Sequence, residues 1–201
     1  MIAVITGDII NSRKLPSHWM ETLKDALGGL KGKKKKWEIY RGDSFQIELD
    51  VEYALLNAIY IKACLKALKN ADVRIGIGLG KKNMSSAKVS EANGEAFINS
   101  GEAFDGLKET KVNMALKTSW RDFDEEFNFY IRLALIAMDS WGPVAAEMVK
   151  YAIENENINQ DRIAKLSGRS QSSVSEALKR AHFAEIIELE AKYRNKIANL
   201  T

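Results

Sequence analysis

The chain has 201 residues, 46% of them apolar, which gives room for one large domain or two small ones and is too hydrophobic for a disordered chain. Thirty Lys and Arg against 27 Asp and Glu leave a formal net charge of +3, so any nucleic-acid surface has to be a local patch rather than a global field. One cysteine, Cys64, excludes a disulfide framework and a Cys-rich metal site, and two histidines, His18 and His182, leave little for a His-based metal cage or triad.

Residues 2–7 are apolar and β-branched on both faces and predict a buried central strand ending at Asp8. Pro16 and Ser17 open a predicted helix to about Leu30, ended by Gly28, Gly29 and Gly32. Lys33 to Lys36 read as a solvated turn. Trp37, Ile39, Phe45, Ile47 and Leu49 alternate with polar residues across Arg41-Gly42-Asp43-Ser44, the pattern of a β-hairpin with a Gly-Asp tip. Residues 51–69 carry apolar side chains at helical spacing, with Cys64 as an inert core thiol. In 73–80, Val73, Ile75, Ile77 and Leu79 share one face of a strand. Gly76 and Gly78 share the other, where a helix or a ligand can approach closely. A loop and helix over roughly 90–109 and a strand over 111–117 follow.

The order β-α-β-β-α-β-α-β predicts an α+β protein. Its first part is a ferredoxin-like βαββαβ layer, one sheet with helices on one face. After Trp120 the strand signals stop. Asp122 and Glu125 suit a capping box, and Phe123, Phe127, Tyr130, Ala134 and Met138 make the apolar stripe of a long helix. Gly142-Pro143 breaks the chain, and everything from 144 onward reads as short helices. The expected domains are therefore 1–120, a connector helix over 121–141, and an all-α part over 142–201. No apolar run reaches the ~18 residues of a membrane span, and the first residues lack the basic start and cleavage site of a signal peptide, so the expected location is the cytoplasm.

Asp8 and Asp43 each follow a glycine and each end a predicted strand on one sheet edge. Two carboxylates held together repel unless a cation separates them. Mg²⁺ favours one or two carboxylates plus phosphate oxygens and water. Asp8, the Ile9 carbonyl and Asp43 are thus candidate ligands for Mg²⁺ with a nucleotide. Gly7 and Gly42 would let the backbone approach a phosphate, and Ser12, Arg13 and Lys14 would hold a triphosphate.

Residues 1–118 resemble the palm-like catalytic domain shared by class III nucleotide cyclases, GGDEF diguanylate cyclases and related polymerases. Gly7-Asp8-Ile9 is similar to their first metal-binding strand end. Arg41-Gly42-Asp43-Ser44-Phe45 is similar to the GGDEF hairpin, with Arg41 for its first Gly and Ser44 for its fourth-position acid. Taken whole, the chain resembles the SatD family: the Gly-Asp-Ile start with Ser12-Arg13, the Arg41–Phe45 hairpin, Arg74-Ile75-Gly76-Ile77-Gly78, Gly94-Glu95-Ala96-Phe97 and a helical tail. The cyclase resemblance implies an Asn followed four residues later by an Arg that stabilises the transition state. Asn99 is present, but Ala103 stands where that Arg would be, so metal and nucleotide binding are expected to outlast turnover.

In the tail, counting from Gln160 puts Ala164 fifth, Gly168 ninth, Val174 fifteenth and Leu178 nineteenth, the spacing of a tight helix-turn-helix. Gln171, Ser172, Ser173 and Ser175 stand at the start of the second helix, where base edges are read, and Arg169, Lys179 and Arg180 flank them as phosphate contacts. The basic excess over residues 159–201 is only +3, from eight Lys/Arg and five Asp/Glu, so one copy is expected to bind duplex DNA weakly and a homodimer to help. Three readings follow. One is a regulator coupling a Mg-nucleotide-binding domain to a DNA-binding tail. Another is a Mg²⁺-dependent nucleotide cyclase or nucleotidyltransferase whose tail targets or dimerises it. The third and weakest is a scaffold that has lost both chemistries.

Overall fold

The computed structural model describes residues 1–84, 89, 92–155 and 159–200. Part of the predicted 90–109 segment, residues 90 and 91, lies outside them. The chain is mixed α/β, built on a five-stranded, mostly antiparallel sheet.

Strand β1 (Ile2–Ile9) is central, and Ala3, Val4 and Ile5 are fully buried. It runs antiparallel between β3 (Ser44–Leu49) and β4 (Val73–Gly80). Strand β2 (Lys35–Tyr40) pairs antiparallel with β3 at one edge, and β7 (Met114–Lys117) pairs parallel with β4 at the other. The order is β2-β3-β1-β4-β7. Lys35 and Lys36 belong to β2, so the predicted lysine turn is half strand. Lys35 donates to the Gly28 and Leu30 carbonyls. A second ladder, β5 (Lys82–Met84) with β6 (Asn93–Gly94), was not legible in the sequence.

Alternation settles the first sheet face. Ile5, Phe45, Ile47, Ile75 and Ile77 point toward helices α1 (Trp19–Gly28) and α2 (Ala54–Lys66). Helix α1 starts three residues after Pro16 and ends at Gly28, shorter than predicted. The second face carries a helix too, which corrects the one-sided layer expected from the sequence. Helix α3 (Glu95–Thr110) lies against β4, β7 and β1. A Cβ at Gly76 would sit 2.5 Å from Phe104 N and 2.6 Å from Ser100 O, so the glycine face of β4 is the seat of α3 and not an open ligand surface.

Helix α4 (Arg121–Met138) closes the sheet edge. Asn128 Nδ2 donates to Leu116 O, and Leu116 N donates to Asn128 Oδ1, both at 2.8 Å, so the outer groups of β7 are paired by a side-chain amide. The predicted capping box is absent. Trp120 is the N-cap without a side-chain bond, Asp124 accepts from Thr118 N and Oγ1, and Glu125 pairs with Arg121. The buried stripe of α4 is Phe123, Phe127, Ile131, Leu135 and Met138, while Tyr130 and Ala134 are half-buried.

Helices α5 (Pro143–Glu154), α6 (Gln160–Ser167), α7 (Gln171–Arg180) and α8 (Phe183–Ala198) complete the chain. They share one continuous core with the sheet. Helix α2 is buried on every side because the sheet covers one face and α5 another. Lys62, fully buried on α2, bonds Asp72 at 2.7 Å and Asp139 at 2.6 Å. Tyr60 donates to Glu154, and Tyr193 donates to the Val51 carbonyl at 2.8 Å. Burial pushes the Cys64 thiol up to about 12, so it stays protonated and inert.

Candidate functional site

Strand register places four polar residues in one row across four strands. Tyr40 faces Ser44, Ser44 faces Asp8, and Asp8 faces Arg74. Arg74 holds Asp8 through two bonds, Nε to Oδ1 at 2.9 Å and Nη2 to Oδ2 at 2.5 Å, a forked charge-assisted pair. Asp43 enters from the hairpin beside them. Its backbone carbonyl accepts from Ile9 N, and its Oδ2 accepts from Ser12 Oγ at 2.7 Å. Burial raises the Tyr40 hydroxyl above its ordinary pKa, with Arg41 opposing and Asp8 and Glu38 adding to it, so the phenol is a neutral donor at this edge.

Arg74 also lines a cavity of about 470 Å³ at the end of β1, together with Asn11, Lys108, Lys111 and Asn113. Three cations without a lining carboxylate suit an anion. Of the five non-glycine residues with positive φ among the described residues, Asn11, Arg41 and Lys111 stand here, at 52° to 55°, and Asn70 and His182 elsewhere. Left-handed non-glycine residues are uncommon and gather at functional sites, and these three stand at the site's loops.

The second candidate surface is α7. Asn159 caps α6 by accepting from Arg162 N, Gly168 ends it at φ 65°, and Ser170 caps α7 by accepting from Ser173 N. Val174, Ala177 and Leu178 are buried against α5 and α6, leaving Gln171, Ser172, Lys179 and Arg180 exposed.

A model of the SatD family matches residues 1–199. The chain belongs to the SatD family. No curated protein matches it.

In this SatD chain, Ser12 bonds Asp43, and Asp8 lies opposite Ser44, the residue after Asp43. Gly42 sits at the hairpin tip with φ 87° and open space around it. Gly7 is set apart from Gly42 by its packing. It is buried, and a Cβ there would meet the Phe45 ring and, at 2.9 Å, the Arg74 carbonyl, so packing explains the glycine. Arg13 and Lys14 lie exposed on a short 3₁₀ turn over Ser12–Lys14. Among the described residues no three His, Cys, Asp or Glu side chains cluster as a metal cage. Asn99 is buried and donates to the Leu79 carbonyl at 2.7 Å, and Ala103 is buried in α3.

In the turn before α7, Arg169 is paired with Glu147 of α5 at 3.2 Å, and Gln171, the first residue of α7, bonds Gln160 at 2.9 Å. Ser173 and Ser175 are half-buried. Glu176, exposed one turn from Ser172, weakens the positive field of this face. Sequence reasoning missed Tyr40, Lys108 and Lys111, and gave Arg74 no role. Tyr40 shares the parity of Asp43's hairpin neighbour Ser44, the one signal that could have found it. No helix among the described residues is long and apolar enough to cross a membrane.

Proposed function

We propose that this SatD chain is a regulator in which the sheet part takes a Mg-nucleotide and the α6–α7 pair contacts duplex DNA. The observation that carries the first half is the Tyr40–Ser44–Asp8–Arg74 row, whose last member, Arg74, also lines the cationic cavity. The antiparallel order β2-β3-β1-β4 with α1 and α2 as crossovers supports the ferredoxin-like, palm-like reading.

Two carboxylates at neighbouring strand ends fit one divalent cation, with the Ile9 carbonyl as the third donor of the proposed set. Such an ion would supply charge neutralisation between the carboxylates and a phosphate. Arg74 is its competitor for Asp8. Because Arg74 also lines the cavity, its guanidinium is placed to serve either the carboxylate or an anion. Lys108 and Lys111 can take the remaining phosphate charge, while Tyr40 and Ser44 offer hydroxyls on the sheet. The cyclase alternative lacks its cation: Ala103 has no charge, and Asn99 is committed to Leu79.

Support for the second half is geometric and chemical. Gly168 turns the chain between two capped helices, and α7 presents Gln171 and Ser172 at its N-terminal end with Lys179 and Arg180 behind them. These features support reading α6 and α7 as a helix-turn-helix.

Titration calorimetry of the full chain with Mg-NTPs tests the nucleotide half. Wild type should bind, and Asp43→Ala should bind at least tenfold more weakly, about 1.4 kcal/mol. Equal binding by both, or none by either, removes the idea.

A further inference from the structure

Helix α4 carries a second apolar stripe that its own fold leaves half or more exposed. Phe129, Leu133 and Ile136 are 50%, 50% and 74% exposed, at steps of four and three residues. That spacing is a helix-packing seam. Helix α8 runs antiparallel beside α4: Glu126 pairs with Lys196 at one end, and Ser140 and His182 share a wall at the other. Between the two helices lies a groove of about 640 Å³, walled by Tyr130, Leu133, Ile136, Ile186 and Leu189.

We infer that this groove is a homodimer interface, filled by α4 of a second copy laid antiparallel. Helices α4 and α8 of both chains then form a four-helix bundle around a twofold axis.

Three features of the face point to a second copy of this chain. First, Phe129 and Ile136 lie equally far from the midpoint between Arg132 and Leu133, so a twofold there sets each Phe129 against the other chain's Ile136. Second, the rim is self-complementary. Glu185 and Glu188 stand on α8, and Lys192, which pairs with Glu188 at 3.1 Å, also lines the groove, leaving Glu188 exposed enough to accept a second cation. Arg132 of the partner subunit would fall beside Leu133, which the antiparallel pairing sets level with Leu189, next to Glu188. Third, the size suffices. An α4 of 18 residues is about 27 Å long and two packed helices are about 20 Å across, giving roughly 500 Å² per copy and roughly 1,000 Å² in the pair, the lower bound of a specific interface. The inference stands independently of nucleotide and DNA binding.

Sedimentation velocity of the full chain tests it. Wild type should sediment at twice the chain mass. Ile136→Glu and, separately, Leu133→Lys should weaken self-association at least 100-fold with unchanged far-UV circular dichroism, since both side chains face solvent in the single chain. Ile98→Glu, at a 62%-exposed position on α3, should leave the dimer intact. A wild type that is monomeric at every loading concentration overturns the inference. So does a dimer that persists in Ile136→Glu, or one that Ile98→Glu abolishes.

Discussion

Gly78→Ala is expected to lower the unfolding free energy by about 3 kcal/mol, the top of the usual overpacking range. A Cβ at Gly78 would overlap Ser100 N and Ala96 O and lie 2.8 Å from Asn99 C, all of them backbone atoms of α3. No rotamer change relieves such a contact, so α3 itself has to move. It is held in place by the Asn99 bond to Leu79 O and by the Thr6–Ser100 hydroxyl contact at 3.0 Å. The midpoint of thermal unfolding should fall by roughly 6–12 °C. Gly101→Ala is the control on the same helix. Nothing lies within 4 Å of its added Cβ, and alanine is the better helix former by about 1 kcal/mol. If the two variants melt together, the close seating of α3 on β4 is wrong.

Lys62→Ala is expected to cost about 3 kcal/mol, the low end for breaking a buried ion pair. Lys62 is fully buried, while the Asp72 and Asp139 side chains are 18% and 39% exposed, so water relieves part of the uncompensated charge. Asp72 precedes β4 and Asp139 follows α4, so this one ammonium ties the sheet to the helical part. Urea denaturation measures the loss, and limited proteolysis near Gly142 should quicken in the variant. Lys62→Met keeps the stem packed and should recover part of the loss. A Lys62→Ala variant as stable as wild type would show that the cluster does not hold the two parts together.

What the sequence made legible was local. Alternation in β3 and β4 and the Gly-Asp hairpin tip follow from side-chain parity and turn chemistry, and the structure has them where expected. The Gly168 turn needed only the left-handed preference of glycine, and its φ is 65°. What was not legible depends on contacts distant in sequence. Gly76 and Gly78 indicated a close approach, but only the packed fold identifies α3 as what approaches. Arg74 opposite Asp8 requires the β1–β4 register, 66 residues apart. Lys108 and Lys111 reach that edge only because α3 crosses the sheet and ends there. The capping box failed because the helix already begins at Arg121, which puts Asp122 inside its first turn, and Glu125 pairs with Arg121. Helix α2 shows the same limit. Its apolar spacing predicts a helix, but not that every side is covered, because its neighbour α5 lies some 90 residues on in the chain.

In the proposed function one chain joins a nucleotide-binding sheet to a DNA-contacting pair of helices. The test is fluorescence anisotropy of a labelled duplex, using the full chain at low salt with and without Mg-NTP. Duplex binding that weakens as salt rises is expected. Arg180→Ala should weaken all sequences alike and flatten the salt dependence by roughly one unit of slope. Gln171→Ala should instead reduce preference at one base pair by about 1–3 kcal/mol. No binding of duplex DNA by the wild-type chain, with or without nucleotide, would contradict it.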